Sequence, residues 1–91
     1  MEIVFTHQAA KDFEKIKQNP NLLKKVVALL ELIEENPFQN PPSYEKLVGF
    51  DSVYSRRINL QHRLVYQVYE DKKIIKIIRM WTHYDNVYKQ Q

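Results

Sequence analysis

The chain has 91 residues, 44% hydrophobic and 12% aromatic, enough apolar matter for one small folded domain over residues 1–91 and too much for a disordered tail. The absence of cysteine excludes a disulfide framework, thiolate metal sites and a cysteine nucleophile. Net charge is +3 and uneven: residues 1 to 45 hold five Lys and seven acids, net −2, and residues 46 to 91 hold nine Lys or Arg and four acids, net +5, which favours an anionic partner for the second half.

Glu2 to Phe5 is expected to form a short strand, with Ile3 and Phe5 on one face. Met1 to Phe5 has no basic region followed by an apolar stretch, and no run has membrane-spanning length, so a soluble cytoplasmic protein is expected. Thr6 is placed to cap a helix in which Ala9, Phe13 and Ile16 recur at helical spacing, with Lys11, Asp12, Glu14 and Lys15 between them. That helix ends near Asn19-Pro20. Asn19 then caps a second helix, with Pro20 in its first turn, where a missing N–H is tolerated. Leu22, Val26, Leu29 and Ile33 form its apolar stripe, widened by Leu23, Val27 and Leu30.

Asn36-Pro37 and Asn40-Pro41-Pro42 break the periodicity, and residues 36 to 52 form a long connection with one short extended piece around Glu45 to Leu47. Three strands follow: Val53 to Asn59, His62 to Tyr69 and Lys73 to His83, with turns near Leu60-Gln61 and at Glu70-Asp71-Lys72. Leu64, Tyr66 and Val68 share a face. The last strand is apolar on both faces and so belongs inside the sheet. The expected class is α+β in the order β-α-α-β-β-β, with two helices on one face of a curved, mainly antiparallel sheet.

Several segments carry a family resemblance. Asn36-Pro37-Phe38 follows the second helix, and Glu45-Lys46-Leu47 has the form Glu-x-Leu. Ser55-Arg56-Arg57-Ile58 precedes His62-Arg63-Leu64-Val65-Tyr66, and His83-Tyr84 stands near the end. In this order and spacing they resemble the YoeB-type toxins (Txe/YoeB family) of the RelE/ParE superfamily, over nearly the whole chain. The chain departs from that pattern in running on past Tyr84 as Asp85 to Gln91, and in Trp81, where the family often has Tyr or a basic residue.

The resemblance implies the toxin of a type II toxin–antitoxin pair, a metal-independent endoribonuclease that cuts mRNA in the ribosomal A site and needs no cofactor. The ribose 2′-OH attacks the adjacent phosphate, the 5′-oxygen leaves, and a 2′,3′-cyclic phosphate and a 5′-hydroxyl result. The resemblance makes Glu45 the general base; a glutamate with its ordinary pKa of about 4.3 is ionised but weakly basic, and partial burial would strengthen it. His83 is the general acid, since an imidazole near pKa ~6.5 both holds and releases a proton. Arg63 stabilises the transition-state phosphate by bidentate hydrogen bonds, and Tyr84 stacks on a base or supports the leaving group. Arg57 and Arg56 are further phosphate or RNA contacts; alternation allows Arg57 and Arg63 one face if the intervening turn is tight, and sends Arg56 to the other.

His7, His62, Tyr54, Tyr66, Tyr69 and Trp81 are expected in the core, its rim or the surface, with no metal site among the histidines. The implied partners are a cognate acidic antitoxin of the YefM type, the ribosome with its mRNA, and a second copy in a homodimer, with no membrane. The alternatives are a ParE-like gyrase-binding toxin and a catalytically inactive domain that only binds antitoxin or nucleic acid.

Overall fold

The computed structural model describes residues 1–82. The elements are β1 (Glu2–Phe5), α1 (His7–Ile16), α2 (Pro20–Glu35), β2 (Glu45–Lys46), β3 (Val53–Arg57), β4 (Arg63–Tyr69) and β5 (Ile74–Thr82). The strands form one sheet in the order β1-β5-β4-β3-β2. β1 runs parallel to β5, and the other pairs are antiparallel. This is the expected α+β arrangement, with the short extended piece at Glu45 now a two-residue edge strand.

Both helices start where the sequence places them. Thr6 caps α1, its hydroxyl oxygen accepting from the Ala9 N–H at 3.0 Å. The same hydroxyl donates to the Ile78 carbonyl at 2.9 Å and so ties the cap to β5. Asn19 caps α2 by accepting from the Leu22 N–H at 3.2 Å, with Pro20 in the first turn.

The two faces of the sheet differ. Ala9 and Ile16 of α1, and Leu22, Val26 and Ile33 of α2, pack with Leu64, Tyr66, Val68, Ile75 and Ile77 in the main core. A smaller cluster on the other face joins Val53 and Val65 to Leu47, with Phe50 and Ile78 packed against it. Thus Val65 points away from its β4 neighbours Leu64 and Tyr66, as period two demands. The Leu47–Phe50 turn that covers this cluster has Gly49 at φ 89°, a value suited to glycine at the third position of a type II turn. Among the described residues no helix is long and apolar enough to cross a membrane.

Asp12 is the main surprise in the core. It stands with Lys11, Glu14 and Lys15 among the charged positions that separate Ala9, Phe13 and Ile16, yet it is 0% exposed. Arg79 Nε and the Met80 N–H both donate to its Oδ2 at 2.9 Å, and Gln8 Nε2 donates to its Oδ1 at 3.2 Å. Register shifts in the β4–β5 ladder lie alongside. A strand that slips its alternation in this way presents residues that simple period two would separate.

Candidate active site

The β3–β4 hairpin sets the geometry. Ile58 N–H donates to the His62 carbonyl at 3.0 Å, and the Asn59 side-chain oxygen accepts from the N–H groups of Gln61 and His62 at 2.9 and 2.8 Å. The turn is therefore built by an Asn side chain mimicking backbone, not by an Asn-Gly pair. Its register places Arg57 directly opposite Arg63 and Ser55 opposite Val65. Directly paired residues share a face, so the two arginines stand side by side, as expected for a tight turn. On the next strand Glu45 pairs with Ser55.

These placements converge. Ser43, Tyr44, Glu45, Ser55, Arg57 and Arg63 line one cleft of about 100 Å³. That volume suits a phosphate group better than a whole nucleotide. Arg57 and Glu45 are exposed and Arg63 is half-buried. The partial burial that would strengthen Glu45 as a base is not seen: its side chain is exposed, and a ligand that binds here must itself desolvate the carboxylate. Arg63 Nη1 lies 3.3 Å from the Asn59 carbonyl, which steadies one edge of its guanidinium. Neither Arg57 nor Arg63 forms a salt bridge among the described residues. Two like charges facing each other across a strand pair cost about 0.2–1 kcal/mol. A bound anion would relieve that cost.

Arg56 does not belong with them, and its assignment as an RNA or phosphate contact is corrected. It is 1% exposed. Its Nε donates to Tyr66 Oη at 3.0 Å, Nη1 to the Pro42 carbonyl at 2.7 Å, and Nη2 to the carbonyls of Pro37 and Gln39 at 3.1 and 2.7 Å. Alternation turns it to the face opposite Arg57, but that direction leads into the protein under the 36–44 connection, where no phosphate has access.

Tyr66 donates from its hydroxyl to the Pro37 carbonyl at 2.8 Å. Burial pushes its phenol above the ordinary value of 10.0, partly offset by the Arg56 hydrogen bond and charge. Tyr54 is also raised, by burial first and then by Glu70, Tyr44 and Asp51. Phe38, Tyr44 and Tyr54 stack in edge-on or tilted pairs with centroids 5.2 to 6.2 Å apart. His62 stacks on Trp81 at 4.2 Å, and His7 is exposed. Tyr54, Tyr66, Tyr69 and Trp81 thus occupy the core and its rim, as expected.

His83 and Tyr84 lie outside the described residues. Thr82, the residue before them in sequence, pairs with Arg63. Sequence reasoning did not single out three residues of the cleft wall. Ser55 was within reach of it, being two positions from Arg57 on one strand. Ser43 and Tyr44 carry no signal beyond adjacency to Glu45.

Comparison with known proteins bears on the family and the fold. The family profile described as YoeB-like toxin of bacterial type II toxin-antitoxin system matches residues 5–84. The chain is similar to Toxin YoeB of Synechocystis sp., 36% identical over 86 residues that cover 92% of this chain and 98% of the relative. Among solved structures, the YoeB/ParE toxin from Agrobacterium tumefaciens superposes with a TM-score of 0.84 at 28% identity, covering 92% of this chain and 100% of that one. YoeB of Staphylococcus aureus is 38% identical over 92% of this chain and 98% of its own, with TM-scores of 0.77 in its complex with YefM and 0.80 as a dimer.

Proposed function

Because the chain belongs to the YoeB-like toxins of bacterial type II toxin–antitoxin systems, we propose that it cuts messenger RNA in the ribosomal A site without a metal ion. The observation that carries this reading is the cleft that gathers Glu45, Arg57 and Arg63 from three strands. Glu45 takes the proton from the ribose 2′-OH, whose oxygen forms a bond to phosphorus. Arg63 and Arg57 bind the non-bridging oxygens as charge builds on them, with guanidinium forks matched to phosphate. The bond to the 5′-oxygen breaks, and His83 returns a proton to that oxygen. The products are a 2′,3′-cyclic phosphate and a 5′-hydroxyl. Tyr84 stacks on a base or supports the leaving-group side.

Cleavage on the ribosome suits so exposed a base. An open, phosphate-sized cleft holds free RNA weakly. A codon fixed by the ribosome arrives already oriented, and the ribosome supplies the walls that exclude water. By likeness to the Staphylococcus aureus protein, a YefM-like antitoxin is the inhibitory partner and a homodimer an accessible state. An acidic antitoxin segment fits the paired arginines. The whole of residues 1–91 acts as one toxin domain in the cytoplasm.

Expression of wild type, Glu45→Gln and His83→Gln, scored for growth arrest and for mapped mRNA cuts on ribosomes, tests the proposal. Wild type is expected to arrest growth and leave A-site cuts, and both variants to lose both effects. Equal toxicity in all three overturns the nuclease reading, and blocked supercoiling or DNA breaks would replace it with gyrase poisoning.

A further inference from the structure

The connection from α2 to β2 makes little regular structure of its own, so its carbonyls need donors from elsewhere. Arg56 supplies them. It engages the carbonyls of Pro37, Gln39 and Pro42 directly, and Tyr66, which accepts from its Nε, donates to Pro37 as well. The Tyr44 ring lies over the guanidinium, with its centroid 4.8 Å away. One side chain therefore holds the connection at residues 37, 39, 42 and 44. The next residue is Glu45.

On the far side of Glu45 the chain is held again at Leu47, whose N–H donates to the Val53 carbonyl at 2.9 Å and whose side chain is buried in the smaller cluster. Between these two anchors β2 is two residues long, with the ladder pairs Glu45–Ser55 and Lys46–Tyr54. So short an edge strand does not set its own position. Arg56 lies one residue beyond Ser55 on the strand that β2 joins. The anchor of the incoming chain and the pairing partner of the carboxylate are thus built into one stretch of β3.

We infer that Arg56 is a positioning residue for Glu45: its buried guanidinium fixes the path of residues 37 to 44 and so sets where the Glu45 carboxylate stands in the cleft. The planar fork is essential to this, because its donors diverge in fixed directions toward several carbonyls at once. A lysine ammonium keeps the charge but concentrates its donors at one flexible point. The assignment of Glu45 as a base rests on the proposed function; the tether itself does not.

The test compares the full chain as wild type, Arg56→Lys, Glu45→Gln and the double variant, by amide hydrogen exchange and by single-turnover cleavage of ribosome-bound mRNA. In Arg56→Lys, exchange at residues 38 to 46 should speed about tenfold or more while α1 and the centre of β5 stay as in wild type. Its maximal cleavage rate should fall about 10²-fold, with the half-saturating ribosome concentration within about threefold of wild type. The double variant should cleave no more slowly than Glu45→Gln alone, since a carboxylate already removed has no position to lose. A merely structural role predicts additive losses, which would overturn the inference, as would exchange that rises everywhere or nowhere. If Arg56→Lys does not fold, Tyr66→Phe removes the hydroxyl shared by Arg56 and Pro37 and must loosen the same segment and act through Glu45 in the same cycle. A wild type that leaves ribosome-bound RNA uncut sinks the nuclease reading, and the exchange at 38 to 46 alone then decides whether Arg56 places Glu45.

Discussion

Arg56 and Arg57 are neighbours in the chain and opposites in environment. Arg56 is enclosed, with carbonyls and a phenol around it; Arg57 stands exposed at the cleft, facing a second arginine. The enclosed guanidinium makes four hydrogen bonds within the protein and, at 1% exposure, is out of a ligand's reach. The open pair has its charge uncompensated by any salt bridge among the described residues, and so retains the capacity to bind an anion. One strand, through alternation, separates the buried charge of Arg56 from the open charge of Arg57 that the proposed mechanism turns toward RNA. Asp12 with Arg79 repeats the enclosed case on the helix side.

The widest separation between the two environments should come from Glu45→Gln or Arg63→Ala. Either should lower ribosome-bound cleavage by about 10²–10⁴-fold, with thermal unfolding little changed, as kinetics and calorimetry on the same samples would read. Asp12→Ala should do the reverse. It strands Arg79 and the Met80 N–H, and should lower unfolding free energy by on the order of 3 kcal/mol in a denaturant titration. Cleavage per folded molecule should remain if the comparison is sound.

Tyr66→Phe tests the enclosed side more gently. It should cost about 1 kcal/mol, from loss of the hydroxyl that Arg56 and Pro37 share. It carries a pH signature too. Because the folded-state pKa of Tyr66 lies above 10.0, its stabilising contribution is fully present below about pH 10 and is lost as pH rises through the folded value. Wild-type melting temperature should therefore fall in the alkaline range, and Tyr66→Phe should flatten part of that fall. A variant that tracks wild type throughout would mean that Tyr54 or another group governs it. The smallest effect belongs to Arg57→Ala, which should leave stability unchanged or raised by up to about 0.5 kcal/mol, since it removes a facing like charge. Its ribosome binding should lose about one unit of salt slope.

Much of this was legible in the sequence because it follows from local periodicity. The caps at Thr6 and Asn19, the apolar stripe of α2 and the inner position of β5 all follow from local pattern, and a shared face for Arg57 and Arg63 was legible on condition of a tight turn. Asp12 was not legible. Its position, three beyond Ala9 and four before Ile16, lies on the buried stripe, yet its charge argued for solvent, and its partner Arg79 is 67 residues away. Shifts of register in β5, which no spacing announces, accompany that meeting. Arg56 failed differently: alternation gave its direction correctly, but the carbonyl cage waiting there comes from a proline-broken connection with no period to read. The Asn59 turn belongs to the same class, since a side chain builds it and no Asn-Gly type of signal marks it in the sequence.

The place of β1 has a consequence for synthesis. Its pairing partner in the sheet is β5, and the Thr6 hydroxyl reaches Ile78 across 72 residues of chain. While the ribosome is still making the middle of the protein, the first strand has nothing to pair with, and the Ile75 and Ile77 layer that α1 rests on does not yet exist. Folding therefore waits for the final strand to emerge, as expected where distant segments must meet. A polypeptide cut short before residue 74 would lack the inner strand that joins β1 to β4. Cells making this toxin would meet such fragments as unfolded chains for proteolysis, not as partly active enzymes.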